Sequence, residues 1–241
     1  MAPRVPWPVL RSRLASSWHA GEHVTLIGPT RSGKTHMALE LAELCPYVLV
    51  LATKRQDPLV SDLAGRGYHV TADLEELVWT AEHPRRPIQR SVVYWPQFGG
   101  KLDSPARLKL QAAAMREALD WADRTGGWCV VVDETMWMAR NLRLERELES
   151  LWFQGRTQGV SVIACAQRPA HIPRLAFSSA DYLFLWQTGD AGDLERLRDI
   201  SAGFPKGMIE ANVSALDFRA HEALFIDPRG KELARVIAPA R

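Results

Sequence analysis

Short segments rich in apolar residues alternate along this chain with longer amphipathic ones. The apolar segments lie at 24–27, 47–52, 91–95, 128–132 and 160–166. Nearly continuous apolar runs of this length are typical of parallel strands that helices cover on both faces. The pattern therefore predicts an α/β fold with a central, mostly parallel sheet flanked by helices.

The intervening segments show the spacing of apolar residues that is typical of amphipathic helices. Such spacing occurs at 9–18, 36–42 and 105–124. The longest of these helices is expected to begin with Ser104 as N-cap and Pro105 in the first turn, and to end at Gly126. Its predicted apolar stripe consists of Leu108, Ala112, Met115, Leu119 and Ala122.

Two further regions complete the expected pattern. Residues 57–79 predict a small helix, a turn at 65–67, a short strand at 68–70 and a second helix that starts at Ala72 or Asp73, before the basic stretch 82–87. Near the C-terminus, a strand at 180–186 and a helix at 190–200 precede two strands at 222–226 and 233–237. The turn at 227–230 is predicted to join these two strands as a hairpin.

The loop after the first strand carries a specific chemical motif. It matches the pattern G-x-x-x-x-G-K-[ST] and lies between a strand and a helix, as that pattern requires. Backbone N–H groups of such a loop bind phosphate, the lysine adds a positive charge at the β- and γ-phosphates, and the final hydroxyl binds Mg²⁺. We therefore predict an ATP and Mg²⁺ site formed by Gly28, Pro29, Thr30, Arg31, Ser32, Gly33, Lys34 and Thr35.

A second motif is a pair of carboxylates at the end of the apolar strand 128–132. Asp133 and Glu134 would be costly to bury unless a metal or hydrogen-bond donors compensate for their charge. A Mg-nucleotide site provides that compensation. Asp133 is predicted as a Mg²⁺ ligand together with Thr35, and Glu134 as the base that orients the attacking water.

The amino-acid composition indicates the size of the core and the compartment, but it does not indicate the function. The chain has 241 residues, of which 46% are hydrophobic, and a net charge of +2. One globular core is the expectation at this length, and the small net charge alone does not indicate nucleic-acid binding. Cys45, Cys129 and Cys165 lack the spacing of a metal or disulfide site, and no apolar run reaches the length of a membrane span. These features predict a soluble, cytoplasmic protein in a reducing compartment.

A third segment narrows the class of P-loop protein that the motifs indicate. An apolar strand ends in Gln167-Arg168-Pro169, follows Arg156-Thr157-Gln158-Gly159, and lies one helix beyond the Asp-Glu strand. Together with the phosphate loop, this arrangement resembles the FtsK–HerA superfamily of DNA-pumping ATPases. The resemblance covers residues 28–169, and more weakly the strand that ends at Trp186.

The resemblance implies a RecA-like P-loop fold in which the strand ending at Gln167 lies between the phosphate-loop strand and the acidic strand. It implies that Gln167 lies near the γ-phosphate and that an arginine reaches the site of a neighbouring subunit. Arg156 matches that arginine, and Arg140, Arg143 and Arg146 are the alternatives. It also implies a single ATPase domain with a lead-in at 1–22, a core at 23–186 and an extension at 187–241.

Within that superfamily, the chain most resembles the minimal genome-packaging ATPases of viruses and phages, because the sequence shows no membrane segment, DNA-reading domain or nuclease. The resemblance implies a pentameric or hexameric ring around double-stranded DNA, with a portal or other translocation partner and no membrane contact, in the host cytoplasm if viral. The expected DNA contacts are the basic residues on predicted loops, namely Lys54, Arg55, Arg85, Arg86 and Lys101.

Two alternatives remain open from the sequence. A regulatory or assembly ATPase would use the same site without DNA. A nucleotide or nucleic-acid kinase would also need the phosphate loop, although the sequence shows no separate arginine-rich lid. A GTPase is disfavoured, because Thr53-Lys54-Arg55-Gln56 lacks the aspartate of a guanine-reading [NT]-K-x-D motif.

Overall fold

The computed structural model describes residues 1–79, 87–101, 104–169, 172–200 and 203–239, with only the backbone of 198–200. Within them the chain forms an open nine-stranded sheet. The strands are β1 Val24–Ile27, β2 Val48–Leu51, β3 His69–Thr71, β4 Ser91–Tyr94, β5 Cys129–Val132, β6 Ser161–Ala166, β7 Tyr182–Trp186, β8 Glu222–Asp227 and β9 Glu232–Ile237. The α-helices are α1 Trp7–Ser17, α2 Lys34–Ala42, α3 Pro58–Gly65, α4 Pro105–Thr125, α5 Glu145–Gln154, α6 Leu175–Ser178, α7 Ala191–Ile200 and α8 Met208–Ser214.

The strand order places three chemically important strands side by side. Across the sheet the order is β3-β4-β2-β5-β6-β1-β7-β8-β9. All neighbouring strands are parallel except at β7–β8 and β8–β9, which are antiparallel. The predicted position of β6 between β1 and β5 is confirmed, and so is the hairpin of β8 and β9. Loops that follow β1, β2, β4, β5, β6 and β7 therefore lie along one edge, called here the carboxyl edge.

Two apolar cores hold the sheet between its helices. Alternate residues of β5 point to opposite faces, so that Val130 and Val132 join one core whereas Cys129 and Val131 join the other. Helices α1, α2 and α3 cover the second face, and the helices from α4 to α8 cover the first. Burial on both faces explains why the central strands are nearly continuous apolar runs, and it confirms the predicted fold class.

The helix predicted from Ala72 or Asp73 is wrong. Only a short 3-10 turn forms, at Leu74–Glu76, because Leu77 adopts an extended conformation. The backbone N–H of Ile88 then donates to the carbonyl of Val78, 2.8 Å away, so the chain pairs with itself instead of continuing as a helix. Conversely, helix α8 was not predicted. The basic stretch at 82–86 lies outside the described residues.

The N-terminal lead-in extends the sheet beyond β9. The backbone N–H of Val5 donates to the carbonyl of Arg235 at 2.8 Å, and the N–H of Arg235 donates to the carbonyl of Pro3 at 2.7 Å. The guanidinium of Arg4 pairs with Glu222 at 2.7 Å. Residues 1–22 are thus fixed to the sheet by both backbone and side-chain contacts.

A buried histidine stabilises the opposite, amino edge of the sheet. His23 precedes β1; its Nδ1 accepts from the N–H of Val162 at 3.1 Å, and its Nε2 donates to the carbonyl of Trp152 at 3.0 Å. This network needs a neutral ring with its proton on Nε2. Burial, together with the nearby positive charge of Arg156, lowers the pKa of His23 to about 4.

Candidate nucleotide site

The predicted phosphate loop connects β1 to α2 at the carboxyl edge. The N–H of Gly28 donates to the carbonyl of Ala166 at 3.1 Å, which ties the start of the loop to the end of β6. A Cβ atom at Gly28 would lie 2.5 Å from Cβ of Trp186 on β7. Only glycine therefore allows the loop to pass this close to the neighbouring strand.

The second glycine of the motif starts helix α2. Gly33 is the N-cap residue with φ of 97°, in the left-handed region, and no side chain caps the helix. A Cβ atom at Gly33 would lie 2.9 Å from Cβ of Ala238, so the chain after β9 packs against the loop. The uncapped N–H groups of the first turn of α2 provide an anion site of the kind that binds phosphate.

Lys34 lies folded over this loop. Its side chain is buried, and its Nζ donates to the carbonyl of Pro29 at 2.8 Å. Burial lowers the pKa of Lys34. The hydroxyl of Ser32 is also buried and has no hydrogen-bond partner among the described residues. A phosphate bound in the loop would offer acceptor oxygens to both groups.

The two carboxylates of the second motif lie next to the loop. Thr35 Oγ1 donates to Asp133 Oδ1 at 2.6 Å, although the two residues are far apart in sequence. Asp133 and Glu134 follow β5, which only β6 separates from β1. A hydroxyl and a carboxylate are hard oxygen donors, the type that Mg²⁺ prefers. The observed pair therefore fits the predicted Mg²⁺ site, with Thr35 and Asp133 as the protein ligands.

Lys54 also belongs to this site. Its Nζ lies 3.0 Å from Glu134 Oε1 and 3.3 Å from Asp133 Oδ2. Burial lowers the pKa of Lys54, but the negative charges of Asp133 and Glu134 outweigh this effect, and the net pKa is raised above its ordinary value. The ammonium is thus a bridge between the two carboxylates, although 45% of the side chain remains exposed. Its predicted contact with DNA stays a prediction.

Two hydrogen bonds fix the backbone around Lys54, and a third supports one of the donors. Trp95, which follows β4, donates from Nε1 to the carbonyl of Lys54 at 2.7 Å. Gln111 of α4 donates from Nε2 to the carbonyl of Thr53 at 2.6 Å. Gln111 in turn accepts from Nε1 of Trp137 at 3.3 Å. The end of β2 is therefore fixed by both the loop after β4 and the long helix α4.

The strand β6 delivers Gln167 to the same edge. Gln167 is exposed and lines a small cleft with Gly28 and Trp186. The next residue, Arg168, pairs with Asp190 at 2.7 Å and with Asp193 at 3.1 Å, and so joins the end of β6 to the start of α7. The shared cleft places Gln167 beside the first glycine of the phosphate loop, and its role at the γ-phosphate stays a prediction.

Comparison with solved structures supports the same fold. No family model and no curated protein sequence matches this chain. The genome packaging NTPase B204 of Sulfolobus turreted icosahedral virus 2, in complex with AMPPCP, matches with a TM-score of 0.63 at 12% identity, over 91% of this chain and 98% of B204. VirB4 of Thermoanaerobacter pseudethanolicus matches with a TM-score of 0.63 at 11% identity, over 91% of this chain and 89% of VirB4. The chain has a RecA-like P-loop ATPase fold.

A third match is part of a larger protein. The cytoplasmic domain of the type VII secretion ATPase EccC of Thermomonospora curvata matches with a TM-score of 0.54 at 15% identity, over 92% of this chain but 26% of EccC. These similarities confirm the predicted RecA-like P-loop fold. None of the helices in the described residues has an apolar stretch of the length that a bilayer requires.

The predicted trans arginine lies at the other edge of the sheet. Arg156 precedes β6, and its two terminal nitrogens donate to Asp181 at 2.9 and 3.1 Å. One of them also donates to the carbonyl of Ser179 at 3.0 Å. Asp181 is buried and is also paired with Arg229. Arg156 is therefore remote from the phosphate loop of its own chain.

The remaining predicted residues lie on the surface. The side chains of Arg140, Arg143 and Arg146 are exposed between β5 and the middle of α5. Arg55 and Lys101 are exposed on the loops after β2 and β4 at the carboxyl edge, whereas Arg85 and Arg86 lie outside the described residues. The three described cysteines are free thiols.

The sequence interpretation missed the role of Lys54 at the carboxylates and the hydrogen bond from Trp95 that supports it. A sequence signal for Lys54 did exist, since it follows a buried strand at its carboxyl end, where α/β folds place ligands. The contact between Lys54 and the carboxylates could not be predicted, because the spacing of residues along the chain does not reveal that β2 and β5 are neighbours.

Proposed function

We propose that this chain is an ATP-hydrolysing motor that moves double-stranded DNA as a ring, of the viral or phage genome-packaging kind. The observation that supports ATP hydrolysis is the convergence of the phosphate loop, Asp133 and Glu134 at one edge, with Thr35 bonded to Asp133 at 2.6 Å. The likeness to B204, a genome packaging NTPase, supports the choice of motor.

In this proposal each side chain has a distinct task. The loop and the first turn of α2 bind the phosphates, and Lys34 stabilises the charge that develops on them. When bound by Thr35 and Asp133, Mg²⁺ supplies further positive charge to the phosphate oxygens. Glu134 accepts a proton from the attacking water, and Gln167 orients groups at the γ-phosphate.

Lys54 holds the two carboxylates in this arrangement. Asp133 and Glu134 are adjacent and both negative, and the ammonium of Lys54 between them offsets their repulsion. We assign it to the hydrolysis site and remove it from the set of DNA contacts. Arg55 and Lys101, together with Arg85 and Arg86, remain as proposed contacts to the DNA backbone.

A ring would complete the active site with an arginine in trans. Arg156 is held by buried Asp181 at the edge remote from its own phosphate loop, so in this proposal it acts on the nucleotide of a neighbouring subunit. Arginines of this type neutralise charge on the transferred phosphoryl group. Arg140, Arg143 and Arg146 remain the alternatives.

The test is the ATPase rate with and without duplex DNA, with particle size measured in parallel. We expect duplex DNA of any sequence to stimulate hydrolysis, with an affinity that falls steeply as salt rises. Replacing Arg55 and Lys101 by alanine should leave basal hydrolysis intact and lower the salt slope by about one for each lost phosphate contact.

The matched control for this double variant removes two exposed cations at the ends of α3 and α4 that lie away from the carboxyl edge, Arg66→Ala with Arg124→Ala, and should behave as wild type. An unchanged salt slope in the first double variant would place the DNA surface elsewhere. DNA-independent hydrolysis at low salt would instead support a regulatory or assembly ATPase that uses the same site.

A further inference from the structure

The position of the catalytic groups sets the direction in which a nucleotide lies across the phosphate loop. Asp133 and Glu134 follow β5, on one side of β1, so the γ-phosphate faces that side. The nucleoside must then extend to the other side of the loop, over the ends of β7, β8 and β9. This step rests on the ATP site proposed above.

The residue that stands on this other side is His221. It directly precedes β8, and its Cβ lies 3.9 Å from the position that a Cβ atom of Gly33 would take. Its side chain is exposed, beside the first turn of α2. Packing in the apolar core therefore does not explain why an imidazole ring is present at position 221.

The backbone of His221 is held in an uncommon conformation. Its φ is 54°, in the left-handed region. Its N–H donates to the carbonyl of Phe218 at 3.1 Å, and its carbonyl accepts from Trp186 Nε1 at 3.2 Å and from the N–H of Ala238 at 3.1 Å. Such conformations persist where the surroundings fix them, and they concentrate at ligand sites. Two of these partners, Trp186 and Ala238, also pack against the glycines of the phosphate loop.

We propose that the imidazole ring of His221 packs against the base of the bound nucleotide. A flat ring whose Cβ is fixed beside the phosphate loop provides a stacking surface for a purine. The contact contributes to binding of the nucleoside part, and it leaves the phosphate contacts of the loop unchanged. His221 is thus a base-binding residue, and a part of the site that the motifs do not include.

The test compares two probes that differ in whether they carry a base. AMPPCP with Mg²⁺ and inorganic tripolyphosphate with Mg²⁺ are titrated by calorimetry into wild type and His221→Asn. Asparagine tolerates positive φ, so the variant keeps the backbone while losing the ring. We expect AMPPCP affinity to fall about 5- to 30-fold, and tripolyphosphate affinity to stay within about twofold.

The control is His19→Asn, which removes another exposed histidine ring, one that precedes β1 near the amino edge. It should bind both probes as wild type does. If His221→Asn lost affinity equally for both probes, His221 would shape the phosphate loop. If it lost affinity for neither, the base would bind elsewhere. Each of these results overturns the inference while the ATP site stands. Failure of wild type to bind both probes would overturn the ATP site and the inference with it.

Discussion

Replacing Lys54 tests whether the ammonium between the carboxylates takes part in hydrolysis. Lys54→Met keeps most of the aliphatic chain and removes the charge. Asp133 and Glu134 would then lose contacts of 3.3 and 3.0 Å, and with them the ammonium that offsets their repulsion. We expect the rate of hydrolysis without DNA to fall, with little change in ATP binding, since Lys34 and the loop remain.

The magnitude follows from the two contacts and the exposure of Lys54. A hydrogen bond to a charged group contributes about 1.5–3 kcal/mol when it is well shielded. The Lys54 side chain is 45% exposed, so solvent screening reduces the two contacts together to roughly 1.5 kcal/mol. Because these contacts exist before the reaction, only the part of their energy that positions the carboxylates for the transition state enters the barrier. A change of about 1.4 kcal/mol in the barrier is tenfold in rate, so kcat should fall by up to about tenfold and KM should change less than about threefold.

The assay is steady-state phosphate release over a range of ATP concentrations without DNA. Lys109→Ala, which removes an exposed lysine from α4, is the matched control and should keep the wild-type kcat. An unchanged kcat in Lys54→Met would refute the reasoning and return Lys54 to the DNA-contact set. A raised kcat would refute it differently, because Lys54 would then restrain Glu134 before hydrolysis.

Three further predictions test other parts of the site and the fold. Lys34→Ala should abolish nucleotide binding measured by calorimetry, whereas Glu134→Gln should bind ATP and lose turnover; normal turnover in the second variant would exclude its role as base. Arg156→Ala should be inactive alone but regain turnover when mixed with Lys34→Ala chains in confirmed mixed rings, and no recovery at any ratio would point to another arginine. The free energy of unfolding should decrease by about 3 kcal/mol as the pH falls from 6.5 to 4, because His23 binds its proton more weakly in the folded state, where its pKa is about 4. Urea unfolding of His23→Gln should show a smaller decrease over the same pH range. An equal decrease in the variant would exclude His23 as the cause.

The parts of the fold that the sequence predicted are those that depend on local pattern. The parallel strands other than the edge strand β3 are nearly continuous apolar runs, because helices cover both faces, and the phosphate loop is an unbroken motif. Ser104 is the N-cap of α4 as predicted, with its hydroxyl accepting from the N–H of Arg107. The helix expected from Ala72 failed because a local helical tendency lost to pairing between Val78 and Ile88.

The parts that could not be predicted depend on which strands are neighbours. Lys54 follows β2 and Asp133 follows β5, and these strands pair directly in the sheet although a long stretch of chain separates them. A cation on a predicted loop is usually solvated. The position of Lys54 at the carboxyl end of a strand indicates a ligand site, but it does not identify the carboxylates as its partners. His221 was overlooked for the same reason, since only the antiparallel pairing of β7 and β8 places it beside the phosphate loop.

The strand order also connects the proposed DNA surface with the nucleotide site. Lys101 follows β4, and Trp95 at the start of the same loop donates a 2.7 Å hydrogen bond to the carbonyl of Lys54, whose ammonium contacts Glu134. Lys101 reaches Glu134 only through Trp95 and Lys54, whereas the ammonium of Lys54 contacts Glu134 directly. Lys101→Ala should therefore alter only the DNA-dependent part of hydrolysis, and Lys54→Met the basal rate as well. If both variants lost the basal rate equally, the loop after β4 would belong to the hydrolysis site, and the DNA surface would have to lie elsewhere on the carboxyl edge.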